Sequence, residues 1–291
     1  MTSLQQALSK GEFVVTAEVA PPKGIDTAEM METAEFLRGK VHAVNVTDQQ
    51  SSVMRLGSLA SCHLLKEAEF EPVFQLTTRD RNRIALQSDL LSASVLGIEN
   101  VLCLTGDHLA LGDHPQAKPV FDLDSVSLLM AAKGLASGTD MAGQSLTGVP
   151  TFHLGAVVTP EYEPMELQLL KMERKIKAGA QFFQTQAIYD PELFRRFMDG
   201  AKDLGVPVML GFVLLKSAGM ARYMNKNVAG VRVPDSVIDE MKKTDDKVAT
   251  SIKIAARIIR QTREMCQGVH LMTMGWERYV PDILTEAGVT I

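Results

Sequence analysis

Short apolar runs rich in β formers, each closed by polar residues and followed by an amphipathic helical segment, repeat along this chain. No other feature restricts its fold as tightly. The pattern is clearest from Lys171 to Glu192, KMERKIKAGAQFFQTQAIYDPE. Met165, Leu169, Met172 and Ile176 recur at helical spacing, and Gly179 ends that helix because glycine accepts the left-handed turn beyond the last carbonyl. Gln181 to Gln186, with its adjacent phenylalanines, reads as a strand buried on both faces, and Asp190 with Pro191 starts the next helix. Gln186 therefore falls at a strand end, where parallel α/β proteins collect ligands; the alternative is that it only fastens its own loop.

The same reading places strands at Phe13–Val19, Val41–Val46, Pro72–Leu76, Asn100–Leu104, Thr151–Val158, Gln181–Gln186, Pro207–Phe212 and Val269–Thr273. Helices fall between them, with Asp26, Asp124 and Asp190 as starts. Leu214 to Val233 reads as a longer, less regular excursion of the kind that covers a site. Asp245 is expected to open a long helix that Gly268 ends, and Trp276 to Ala287 is expected to form the last one. A length of 291 residues suits two average domains or one barrel. No linker rich in Pro, Gly or Ser divides the repeats, so the expectation is a single-domain α/β protein, one (β/α)8 TIM barrel over residues 1–291. An open doubly wound sheet would carry G-x-G-x-x-G after a strand, and that motif is missing, as is a P-loop.

Composition narrows the function. With a net charge of -5 an extended nucleic-acid surface is not expected, and small molecules are the better-suited partners. Cys62, Cys103 and Cys266 form neither a disulfide framework nor a metal pair, and no H-E-x-x-H proposes a metal site. The N-terminus lacks the apolar core of a signal peptide, and no run reaches the ~20 apolar residues that span a bilayer. A soluble, unexported cytoplasmic protein is expected.

The strand ends present Glu18, Thr47, Gln75, Asp107, Thr159 with Glu161, Gln186, Lys216 with Ser217, and Met274. Glu18 is flanked by Ala17, Val19 and Ala20; apolar surroundings raise a carboxyl pKa by disfavouring the charged form, which would make Glu18 a proton donor near neutral pH. Its bland alternative is a solvated loop acid. Asp107 lies in LTGDH, where Gly106 allows a sharp turn that presents a carboxylate able to stabilise a cation, or else one that caps its own loop. His108 and His114 read as loop residues, and His153 and His270 as satisfied core histidines.

At these residues the chain resembles the methylenetetrahydrofolate reductases, flavin-containing eight-stranded barrels that reduce a methylene group carried on tetrahydrofolate to a methyl group. FVVTAEVAPPKG is similar to the family's first strand, VNVTDQQS to its second, VLCLTGDH to its R-G-D loop, and KMERKIKAGAQFFQTQAIYD to its K-R-K-x-x-A-G-A...T-Q segment. The resemblance implies that Glu18 protonates the folate, opening its five-membered ring to a 5-iminium cation. It implies that Asp107 lies beside flavin and pterin, that Gln186 bonds folate, and that Thr47 and Lys175 contact flavin, the lysine near phosphate. Flavin N5 would then deliver hydride, as in one-carbon and methionine metabolism.

The departures bear on the cofactor. Thr105 stands where well-known bacterial members have arginine, Gln75 where they have histidine, Thr159 where they have tyrosine, and Gln168 replaces an aspartate. Several of these positions serve the adenylate half of FAD in the family. FAD is thus the family expectation, FMN an alternative, and a flavin-free or non-catalytic pterin-binding subunit of a larger assembly a further one. NADH or NADPH is the default electron donor; an electron-transferring partner subunit could take its place, and a homo-oligomer is compatible. The resemblance is to the compact prokaryotic form, which has no C-terminal regulatory extension.

Overall fold

Eight strands, β1 (Val14–Val19), β2 (Ala43–Val46), β3 (Pro72–Thr77), β4 (Asn100–Leu104), β5 (His153–Val158), β6 (Phe182–Ala187), β7 (Val208–Val213) and β8 (Gly268–Met272), pair in sequence order in the computed structural model, which describes residues 1–291. Every pairing is parallel and β8 closes on β1, so the sheet has no edge. The helices are α1 (Ser3–Ser9), α2 (Ala28–Glu35), α3 (Ser58–Glu67), α4 (Arg83–Val95), α5 (Ser125–Leu135), α6 (Met165–Ala178), α7 (Pro191–Ala201), α8 (Ala218–Asn227), α9 (Asp235–Lys243), α10 (Lys247–Thr262) and α11 (Val280–Ala287). None is long and apolar enough to cross a membrane.

Burial on both faces explains why β3 and β7 carry no alternating pattern and are buried along their whole length. One face of each strand meets the helices and the other fills the barrel. At the N-terminal end the filling is apolar: Val14, Ala43, Val73, Leu102, Phe182 and Met209 pack with Leu4, Ala7 and Leu8 of α1. Toward the other end it becomes polar, with Thr16, Asn45, Gln184 and His270 joined by hydrogen bonds. The side chains thus distinguish a sealed end from a chemical one.

Local signals explain most boundaries. Asp124 accepts from the Ser127 N–H and Asp190 from those of Glu192 and Leu193, satisfying donors that a helix start leaves unpaired. Gly179 follows α6 at φ 125°, a conformation that favours glycine. Other expectations are corrected. Helix α10 is capped by Asp246, whose carboxylate accepts from Ala249 N–H, rather than opened by Asp245. Gly268 is no helix stop but the first residue of β8, where a Cβ would sit 2.3 Å from the Val14 carbonyl oxygen. The 214–233 excursion contains the regular helix α8, capped by the Ser217 hydroxyl. Helix α1, absent from the sequence reading, plugs the barrel and is capped by Thr2.

Candidate functional site

Two adjoining clefts at the C-terminal ends of the strands, the face where loops can vary without disturbing the barrel, gather most of the expected site residues. The first, of about 310 Å³, is walled by Gln75, Thr77, Thr105, Asp107, Thr159 and Lys175 among others. The second, of about 350 Å³, takes Glu18, Thr47, Arg55, Thr273 and Glu277 from the β1, β2 and β8 side. Gln50 lines both. Gln186 lines neither: its Oε1 accepts from the Ala187 N–H at 3.1 Å, beside the irregularity that separates Gln184 from Ala187 in the pairing with β7.

Glu18 is not in the apolar setting that its sequence neighbours suggest. Alternate residues of a strand face opposite ways, so Ala17 and Val19 join the outer core while Glu18 meets residues of other strands. Gln75 Nε2 donates to Glu18 Oε1 at 3.2 Å, and His270 Nε2 lies 3.5 Å from the same oxygen. The Glu18 side chain is 12% exposed. It is therefore neither a solvated loop acid nor a carboxyl among hydrocarbons, but a largely buried one held by polar partners.

Asp107 is held by its backbone. Its carbonyl accepts from Ser52 Oγ at 3.1 Å and Arg79 Nη1 at 3.4 Å, while the carboxylate is exposed and makes no hydrogen bond within the protein. The loop-capping alternative thus has no bond behind it. Gly106 turns the chain at φ 91°, where a Cβ would lie 3.2 Å from both Arg79 Cβ and Thr77 Cβ. Arg79 itself is buried, paired with Asp80 and bonded to Ser52 Oγ and the Gln49 carbonyl. It braces a segment in which Gln49, Ser51 and Ser52 all have positive φ. Nearby, Asp48 accepts from Thr77 and from both terminal nitrogens of Arg81, locking the end of β2 to that of β3.

Lys175 reaches from α6 into the first cleft, where its Nζ donates to the Val157 carbonyl at 2.6 Å. Burial lowers its pKa to about 8, with the charge of Lys171 adding to the effect. A desolvated ammonium bonded to a carbonyl and ion-paired to no carboxylate suits an anionic group of a ligand. Thr105 Oγ1 accepts from the Ser125 N–H, a further free donor at the start of α5, which Asp124 caps. Thr159 lines the first cleft under Gly230, where a Cβ would sit 2.1 Å from Thr159 Cγ2. Thr47 is buried on the second cleft and its hydroxyl has no partner. A buried hydroxyl of this kind ordinarily finds one, so a polar ligand edge fits beside it.

The sequence reading missed Ser52, Glu277 and the bracing roles of Asp48 and Arg79. Asp48 and Arg79 lie within two residues of strand ends, which is the signal that would have found them. Glu277 has no such signal: it accepts from Thr273 Oγ1 and the Gly275 N–H across a turn at Met274 that only the folded chain displays.

A family profile described as methylenetetrahydrofolate reductase matches residues 3–288. Methylenetetrahydrofolate reductase 2 of Schizosaccharomyces pombe is 25% identical over 74% of this chain and 35% of its own length. The 5,10-methylenetetrahydrofolate reductase of Pectobacterium carotovorum is 25% identical over 94% of this chain and 90% of its own. The chain spans about a third to a half of the eukaryotic relatives it matches and most of the bacterial one. Among solved structures, a Clostridium thermocellum protein described as binding two copies of 5-methyl-5,6,7,8-tetrahydrofolic acid superposes with a TM-score of 0.69 at 14% identity, covering 98% of each chain. That likeness concerns the fold.

Proposed function

Because the chain belongs to the methylenetetrahydrofolate reductase family, we propose that it reduces 5,10-methylenetetrahydrofolate to 5-methyltetrahydrofolate, with Glu18 as the proton donor. The observation that carries this reading is the Gln75–Glu18 hydrogen bond, which links an acid on one cleft to a wall of the other, where Asp107 and Lys175 stand. Glu18 protonates the folate, its five-membered ring opens to an iminium cation, and the Asp107 carboxylate offsets that charge. For Gln186, which lines neither cleft and whose oxygen serves the Ala187 N–H, the proposal is a bond to the pterin through the carboxamide nitrogen once ligand is bound.

The residues present fit a flavin: an unpartnered buried hydroxyl at Thr47 and an ammonium without a counter-ion at Lys175. Thr47, Gln75, Thr105, Asp107, Thr159 and Lys175 would hold it, Lys175 at phosphate, and when bound it supplies hydride. The chain has threonine rather than arginine at position 105, and its hydroxyl already accepts from the Ser125 N–H. FAD and FMN therefore both remain in the proposal, and mass analysis of the extracted cofactor separates them. NADH, NADPH or a protein partner provides the electrons of what is proposed to be a cytoplasmic enzyme.

The visible spectrum tests this. Flavin bound to the purified protein bleaches with reductant, and methylenetetrahydrofolate restores the colour; reduced flavin that ignores the folate contradicts the reading. A second reading, a pterin-binding subunit without turnover, draws on Thr105, Gln75 and Thr159 standing at the departing positions. It is favoured by colourless protein that binds folate and turns over with no donor.

A further inference from the structure

His270 is a buried histidine for which the proposed reaction has no use, yet it stands between the acid and the polar filling of the barrel. Its Nδ1 lies 2.9 Å from Thr16 Oγ1, and its Nε2 lies 3.5 Å from Glu18 Oε1. Thr16 Oγ1 also accepts from Gln184 Nε2 at 3.1 Å. Gln184 in turn exchanges two hydrogen bonds with Asn45, at 2.9 and 3.2 Å. All four residues below Glu18 are buried.

One arrangement of hydrogens along this chain turns the histidine toward the acid as a donor. In it the Thr16 hydroxyl accepts from Gln184 and gives its own hydrogen to His270 Nδ1. Nδ1 is then an acceptor and the ring hydrogen sits on Nε2, the nitrogen 3.5 Å from Glu18 Oε1. Gln75 donates to that same oxygen. The contact at 3.5 Å is longer than a settled hydrogen bond, as catalytic contacts often are before ligand binds.

Resting on the reading of Glu18 as the proton donor, we propose that His270 and Gln75 are positioning residues that hold Glu18 by Oε1, so that Oε2 carries and delivers the proton. An oxygen that accepts two N–H donors is a poor place for a hydrogen, which assigns the acidic hydrogen to Oε2. On transfer the Oε2–H bond breaks and an N–H bond forms on the folate. The O–H electron pair stays on the carboxylate, whose new charge the two donors at Oε1 stabilise, and solvent restores the proton afterwards. Asn45, Gln184 and Thr16 act one step further back by setting which ring nitrogen of His270 carries the hydrogen.

Two measurements decide this. In the full chain labelled with 15N-histidine, two-bond 1H–15N correlations assigned through His270→Gln show the hydrogen of His270 on Nε2, and Thr16→Val redistributes it. In steady-state turnover, His270→Leu lowers kcat for folate reduction on the order of tenfold to a hundredfold while KM stays within about twofold, and His270→Gln, which keeps an N–H near Oε1, recovers most of the loss. A hydrogen found on Nδ1 in the native protein overturns the proposal, as does native kcat in His270→Leu. If the native protein itself fails to reduce methylenetetrahydrofolate, it is the functional reading that falls, taking the proton role with it; intact native turnover with an indifferent His270→Leu removes only the positioning role.

Discussion

Gln75 and Glu18, on β3 and β1, are joined by a 3.2 Å hydrogen bond although each lines a different cleft. Just beyond the strand between them, β2, stands Thr47, buried and with its hydroxyl unpartnered. The two clefts are therefore walls of one site rather than separate pockets. Gln75 carries the one side-chain contact from the first cleft to the acid in the second.

The Asp107 turn depends on Gly106. Any side chain there meets both a left-handed backbone at φ 91° and contacts of 3.2 Å with Arg79 and Thr77. Gly106→Ala is expected to cost ~1–3 kcal/mol of stability, with a loss of turnover that exceeds the loss of folded protein because Asp107 moves. Thermal melts alongside activity per folded molecule check this.

Arg79 braces the positive-φ segment with a fork of donors that lysine cannot reproduce. Arg79→Lys and Arg79→Met are both expected to destabilise, the methionine variant by ~2–4 kcal/mol because Asp80, Ser52 and two carbonyls lose a partner. Urea midpoints measure the change; a Lys variant as stable as the native protein contradicts the bracing role.

Lys175 gives a pH signature. Its folded pKa of about 8 lies below its ordinary 10.5, so between those values the unfolded chain binds more protons and stability rises with pH. Lys175→Met is expected to stabilise the ligand-free protein by ~1–3 kcal/mol at pH 7, with the gain shrinking toward pH 10. The same variant weakens retention of a phosphate-bearing flavin. Denaturation at the two pH values, with and without flavin, shows both effects.

Glu161 has the opposite sign. Burial first, and the charge of Asp190 second, raise its pKa from 4.5 to about 7, and its buried Oε1 has no hydrogen-bond partner. The folded state then holds the proton that the unfolded state has lost, so stability falls as pH rises through that window. Glu161→Gln is expected to flatten that part of the melting-temperature profile. An unchanged slope contradicts it.

The repeat of strand and helix was readable because each unit carries its own caps and its own apolar stripe: Asp124, Asp190 and Gly179 act locally. What was not readable depends on partners far along the chain. Glu18 looked apolar because Ala17 and Val19 are its neighbours in sequence, whereas Gln75 and His270 are its neighbours in space. Gly268 looked like a helix stop because close approach to Val14 leaves no local trace. His270 read as a satisfied core histidine; one nitrogen fits that description and the other faces the acid.

The most direct test of the account is anaerobic mixing of reduced, flavin-loaded protein with methylenetetrahydrofolate, comparing the native chain with Glu18→Gln. The account predicts that both variants are reduced by dithionite alike, and that the folate reoxidises the native protein while Glu18→Gln is slower by about 10²-fold or more. Reoxidation of Glu18→Gln at the native rate would contradict it.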